Sequence, residues 1–325
     1  MGADCRDRQT PSTTGVNVST PHKHHFIPAF YLRQWHGPDD KLVEYTIKHG
    51  KLIPKPVSAD ATGFERDLYA FPDLPPNLSQ FMEQKFWDYA DRTASQALGM
   101  LLAGYPRTLW SSDMLSAWVR FLIGVHTRHP DTMPEIRTAA KAIWEGSAEQ
   151  SQRRYEEIRE PGDPETFDEW IATKDPLIPD KAALELVMSS IDNEIVGLHM
   201  MQMKWRVIEI STTPRRFLTS DRPVGMYMMK EPNGSITMPL SPTKLFVAVN
   251  DERYLDQFCQ KKDREIVDAI NSDHLQRARK FVWAASKSHS QTEFIRAHMG
   301  KKMEPLPFFP SLSRYTASVT QAADE

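Results

Sequence analysis

The hydrophobic pattern of this chain changes its period twice, and that change limits the fold more than any other feature. Residues 42–47 (Leu-Val-Glu-Tyr-Thr-Ile) and 51–54 (Lys-Leu-Ile-Pro) flank Lys48-His49-Gly50. Side chains of a strand point to opposite faces in turn, so this pattern predicts a hairpin, with Gly50 free to take the positive φ of the turn. Pro54 and Pro56 carry no backbone donor and either end the second strand or place it at a sheet edge. Residues 67–71 read as a further short strand, stopped by the proline-rich turn 72–76.

From about 78 to 203 the period becomes helical. Phe81, the stem of Lys85, Tyr89, Leu98, Leu101 and Leu102 recur at helical spacing. Ser112-Asp113 caps a second helix whose buried face is Leu115, Trp118, Val119, Leu122 and Val125. A third, long and charged, is expected over about 133–160, broken by Pro161-Gly162-Asp163-Pro164. A fourth is expected over about 180–201, with Leu184, Val187, Met188, Ile191, Ile195 and Leu198 as its stripe.

At Lys204 the period returns to two. Strands are expected at about 204–210, 216–219, 235–240, 245–249 and 281–284, with another at 224–228 and a helix over about 263–271. Strands at both ends with helices between them predict an α+β fold. Its antiparallel or mixed sheet combines the N-terminal hairpin with the C-terminal strands, and the helices form a central layer or lobe. One domain over residues 22–300 is expected. Residues 1–21, polar and without periodicity, read as a disordered tail, and 301–325 as a loosely attached proline-rich one.

Composition narrows the function classes. With 40% apolar and 26% charged residues the 325-residue chain has an ordinary globular balance. Mean hydropathy is -0.52, and no run of about 18 apolar residues suggests a membrane-spanning helix. Met1-Gly2-Ala3-Asp4-Cys5 opens no apolar signal core, and the two thiols, Cys5 and Cys259, lie far apart. A cytoplasmic location is therefore expected, and a cysteine-rich zinc site is excluded. A net charge of -3 gives no global footprint for nucleic acid. The charge is uneven, however: residues 204–230 carry Lys204, Arg206, Arg215, Arg216, Arg222 and Lys230 against Glu209 and Asp221. That stretch is either a local anion-attracting surface or a solvated strand face.

Two strings stand out. One is His24-His25-Phe26-Ile27-Pro28-Ala29-Phe30-Tyr31-Leu32-Arg33, preceded by His22 and followed by Trp35. The other is Lys204-Trp205 with Phe217-Leu218-Thr219-Ser220-Asp221-Arg222-Pro223-Val224. With Pro239-Leu240-Ser241-Pro242, Asn271 and Phe281-Val282-Trp283-Ala284, they resemble the bacterial family called domain of unknown function 4238, over about residues 22–285. The resemblance implies a fold group and no reaction.

Candidate chemistry gathers on the same strings. The imidazoles of His24 and His25 sit just before a helix expected over 28–34, with Pro28 as its first residue. The positive end of a helix favours neutral imidazole, the form that ligates metal or acts as general base. The two side chains point in different directions, so one is expected to act and the other to support the fold. Arg33 either clamps a phosphate or carboxylate or pairs with Glu65 or Glu83. Asp221, at a strand end before Arg222-Pro223, either binds metal or closes an Asx-type turn. Glu83 near a helix start, with Asp88 and Asp91 beyond it, offers further carboxylates, and His126 and His129 lie one turn apart.

Two functions follow. In the first, His24 or His25, Asp221 and Glu83 hold a divalent metal ion, Arg33 or Arg222 binds an anionic group, and a phosphodiester of nucleic acid or a nucleotide is hydrolysed. In the second, the same residues form a non-catalytic binding or sensing module for a small anionic ligand or a protein partner.

Overall fold

The computed structural model describes residues 23–68, 87–174 and 192–300, with a few positions between 175 and 191. The fold is α+β, with three antiparallel sheets among the described residues. Strand β1 (Lys23–His25) leads into helix α1 (Ala29–Leu32) and a 3₁₀ turn over Arg33–Trp35. Pro28 is extended and serves as the N-cap of α1, one residue earlier than expected.

The expected hairpin is present as β2 (Leu42–Lys48) and β3 (Lys51–Val57), with Gly50 at φ 73°. β3 runs on through both prolines because it is the edge of its sheet, whose order is β3-β2-β10-β6. The next strand, β4 (Phe64–Arg66), pairs with β1 and lies before the expected 67–71. Asp67 takes a positive φ of 53° and ends it, and residues 69–71 lie outside the described residues.

The helical part contains α2 (Asp88–Leu102), α3 (Ser112–Thr127), α4 (Thr132–Gly146), α5 (Ala148–Ile158), α6 (Phe167–Lys174) and α7 (Glu194–Gln202). Ser111, not Ser112, caps α3 by accepting from the Met114 N–H. The long helix expected over 133–160 is two helices. Ser147 ends one and begins the other, and its hydroxyl donates to the Trp144 carbonyl, which would otherwise continue the ladder. Tyr89, one of the residues at helical spacing, is exposed, and so are Ile195 at 77% and Leu198 of the expected fourth stripe. Phe81, Lys85 and, in the fourth expected helix, Leu184, Val187 and Ile191 lie outside the described residues.

The C-terminal part supplies β5 (Lys204–Glu209), β6 (Thr219–Ser220), β7 (Gly225–Tyr227), β8 (Ser235–Pro239), β9 (Lys244–Val249) and β10 (Val282–Ala284). Helices α8 (Glu252–Cys259) and α10 (His289–His298) were not expected, and α9 (Asp263–Arg277) extends past residue 271. The N-terminal hairpin joins the C-terminal strands directly: Tyr45 of β2 lies opposite Val282 of β10, and Val282 opposite Ser220 of β6.

The third sheet, β5-β9-β8-β7, is covered on both faces. Phe246 and Ala248 face the helical layer and join a core containing Tyr31, Trp35, Trp118 and Phe121. Leu245, Val247 and Val249 face α8 and α9 and pack on Leu255, Ile266 and Ile270. Burial on both faces explains the unbroken apolar run of β9. A third cluster joins Tyr45 and Val282 to Ile295 and Met299 at the end of α10. Helix α1 ties these layers together. The Tyr31 hydroxyl donates to the Pro239 carbonyl at 2.8 Å and lies 2.7 Å from Thr219 Oγ1, and Trp35 Nε1 donates to the Phe217 carbonyl.

Candidate cleft beside the first strand and helix

Neighbouring residues of a strand point to opposite faces, and β1 separates its two histidines in this way. His24 is fully buried, while His25 opens onto a cleft of about 600 Å³. Arg33, one turn into the helical segment, lines the same cleft, together with Asp60, Asp91 and Arg92. Pro28 and Phe30 supply its apolar wall, and Ser95 and Gln96 follow Arg92 by three and four positions on α2, the spacing that puts side chains on one helix face.

Each carboxylate of the cleft is held by a guanidinium. Arg33 donates to Asp60 at 2.7 Å, and Glu65, one of its expected partners, approaches Lys280 instead. Arg128, 1% exposed, grips Asp91 with two hydrogen bonds of 3.0 and 3.2 Å and lies over the Trp87 ring at 4.7 Å. Arg92 forms no ion pair among the described residues. Three guanidinium groups therefore stand against two carboxylates. The His25 imidazole is neutral at pH 7: burial, followed by the charges of Arg128, Lys23 and Arg33, lowers its pKa to about 4 despite Asp60.

Asp221 does not line this cleft. Its side chain turns inward and closes the loop before β10. One carboxylate oxygen accepts from the Arg279 N–H at 2.9 Å, the other from Lys280 and Phe281 at 2.6 and 2.9 Å. Burial pushes this carboxyl above the usual value, against the pull of those three donors and of Arg222. Phe281 in turn stacks on Phe26, next in sequence to His25. The two sequence strings thus meet through aromatic packing, with the Asp221 carboxylate directed elsewhere. Glu83 lies outside the described residues. Among the described residues no group of three or more His, Cys, Asp or Glu side chains is arranged to hold a metal ion.

The His129 ring meets the Phe26 ring edge-on, with centroids 5.6 Å apart. Its Nδ1 accepts from the Asp131 N–H and faces an Arg222 nitrogen at 3.3 Å, which places the ring proton on Nε2. Burial and Arg222 lower the pKa of His126 to about 4 and of His129 to about 3. Much of the basic character of residues 204–230 is cancelled from α8 and α9: Arg206 meets Glu252 and Asp256, Arg215 meets Asp268, and Arg222 reaches Asp131 on the helical side.

Of the residues singled out in sequence, His25 and Arg33 line this cleft together with Asp91, which sequence marks only as a carboxylate beyond Glu83, whereas Asp60 and Arg92 are not singled out there. Asp91 and Arg92 had a visible signal, adjacent charges on the polar face of a helix, but nothing local pointed that face at β1. No helix among the described residues is long and apolar enough to cross a membrane. Neither curated proteins nor solved structures give a match. Residues 23–288, which include the cleft and the Asp221 turn, match the family described as protein of unknown function (DUF4238), and the chain belongs to that family.

Proposed function

We propose that the cleft beside β1 is a binding site for a small anionic ligand and that the chain works as a binding or sensing module. The observation that carries this reading is the charge balance at the cleft: Asp60 and Asp91 are each matched by a guanidinium, which among the described residues leaves Arg92 over. Arg33 gives one terminal nitrogen to Asp60 and keeps further N–H donors for a second acceptor. Neutral His25 adds a polar group that does not repel the ligand. A volume of about 600 Å³ suits a metabolite-sized anion.

Metal-assisted phosphodiester hydrolysis draws less support. It needs a carboxylate with free oxygens, and both oxygens of Asp221 accept backbone hydrogen bonds. Asp221 fits the role of closing a turn, which is the other reading its sequence allowed.

Calorimetric titration with inorganic phosphate, citrate and nucleoside monophosphates tests the proposal. At least one of these anions is expected to bind, and Arg33→Ala with Arg92→Ala should weaken it at least about tenfold, the size of one lost charge-assisted hydrogen bond. Asp221→Asn should lower the unfolding midpoint and leave the affinity of the folded fraction unchanged. Equal affinity in the wild type and the double arginine variant would overturn the assignment. Turnover of DNA, RNA or nucleotides on addition of Mg²⁺ or Mn²⁺, abolished in Asp221→Asn, would restore the hydrolase reading.

A further inference from the structure

The edge of a sheet carries backbone groups that a further strand can complete. Among the described strands two long ones lie at such an edge: β3, of seven residues, and β5, of six. The opposite edges of the same sheets, β6 and β7, are two and three residues long. In an antiparallel pair the backbone groups of alternate residues point at the partner, and those between point away. The hairpin turn sets this phase for β3. His49 and Gly50 both take a positive φ, the two-residue turn whose flanking residues, Lys48 and Lys51, form a hydrogen-bonded pair. Ile53, Lys55 and Val57 therefore bond to β2, and Leu52, Pro54 and Pro56 face outward. Both prolines stand where an N–H would offer itself to another strand, so this edge is guarded.

β5 has the opposite character. Just beyond its ladder the Ile210 N–H donates to the Thr243 carbonyl. Lys204, Arg206 and Ile208 therefore bond to β9, and Trp205, Val207 and Glu209 turn their N–H and C=O groups outward. Among the described residues no hydrogen bond reaches these outward groups. The outward carbonyl before them, that of Met203, accepts from Arg107. No proline guards β5, and Val207 and Ile208 are only half-buried, packed on opposite faces of the sheet.

The strand also suits a copy of itself. It begins on Lys204 and ends on Glu209, so an antiparallel copy brings each cationic end to the other's anionic end. Only odd-numbered residues face outward, and odd must pair with odd. A twofold axis through Val207 pairs all three, with Trp205 of each copy opposite Glu209 of the other. An axis through Arg206 would set its two guanidinium groups opposite each other, and like charges in that position destabilise a sheet. An axis through Ile208 would leave Trp205 without a partner.

We propose that β5 docks on β5 of a second copy of this chain, antiparallel and about a twofold axis through Val207, so that the two four-stranded sheets become continuous. No residue that lines the cleft takes part, and the docking is independent of the ligand proposed there.

Sedimentation equilibrium of the full chain over a wide range of concentration tests the proposal. The wild type should reach the mass of two chains, and Val207→Pro should halve it, because proline at 207 removes one outward N–H and leaves the β5–β9 ladder intact. Val207→Thr keeps that N–H and the branched shape, and should dimerise like the wild type. Single-chain mass of the wild type at every concentration, or a Val207→Pro variant that dimerises as the wild type does, overturns the proposal. If Val207→Pro does not fold, amide hydrogen exchange of the wild type decides. The amides of Trp205, Val207 and Glu209 should exchange slowly in the dimer and fast after dilution to single chains, while those of Arg206 and Ile208 stay protected in both. Fast exchange of all three in concentrated protein removes the docking. Slow exchange that persists in single chains shows that something other than a second copy covers the edge, and overturns it as well.

Discussion

At the scale of single residues, the molecule keeps its imidazoles neutral by burying them among arginines. In the fold, His25, His126 and His129 have pKa values of about 4, 4 and 3, and His274 is shifted the same way, all against an unfolded value of 6.5. As pH falls from 6.5 towards 4 the unfolded chain takes up protons that the folded one refuses, so stability is full above pH 6.5 and is lost on acidification. Asp221, raised above 3.8, works in the opposite sense, because the folded state protonates it first. Several imidazoles against one such carboxyl leave the acid-labile direction dominant, with each titrating histidine contributing up to about 1.4 kcal/mol per pH unit. The urea midpoint is expected to drop clearly between pH 7 and pH 5; a flat profile would show that the histidines are hydrated in the fold. The sequence displayed these histidines but not their burial. It also displayed Asp221 without its direction, since a strand-end aspartate before Arg-Pro reads alike as a metal ligand and as a turn closer. Only the return of residues 279–281 decides which donors it meets.

Elements were more legible than residues wherever a period ran long enough. The β2–β3 hairpin, the stripe of α3 and the alternation of β5 follow directly from sequence, because burial on one face fixes register. Breaks and short pieces were not legible. Ser147 interrupts a continuous helical pattern through one hydroxyl, and α8 and α10 are short helices capped by Asp251 and Ser288 after strands. The contact between α2 and α3 was also hidden. Gly124 sits in the last turn of α3, at a helical position where alanine would ordinarily add up to about 1 kcal/mol. Here a Cβ would stand 2.8 Å from the Trp87 ring, which in turn supports the Arg128 guanidinium. Overpacking of that kind costs about 1–3 kcal/mol and outweighs the helical gain. Gly124→Ala is therefore expected to lower stability by about 1 kcal/mol in a denaturant titration. A stabilised variant would mean that Trp87 moves aside readily.

For the whole molecule, the arrangement that sequence foretold in outline, strands at both ends of the chain with helices between, becomes a physical closure. The hairpin completes its sheet only through β10, and α1, which lines the cleft, is tied through Tyr31 to Thr219 and Pro239 from the other end of the chain. Thr62 accepts from the Trp283 indole across 221 residues of chain. On a ribosome adding roughly 5–20 residues per second, that separation is an interval on the order of ten to forty seconds. Throughout it β2 has emerged with one long edge unsatisfied and Tyr45 uncovered. The hairpin is thus an early product that must wait for a late one. Arrested nascent chains ending before β10 should be cut by protease within residues 42–57, and chains that have fully exposed β10 should resist; protection at the shorter length would show that the hairpin finds another shelter.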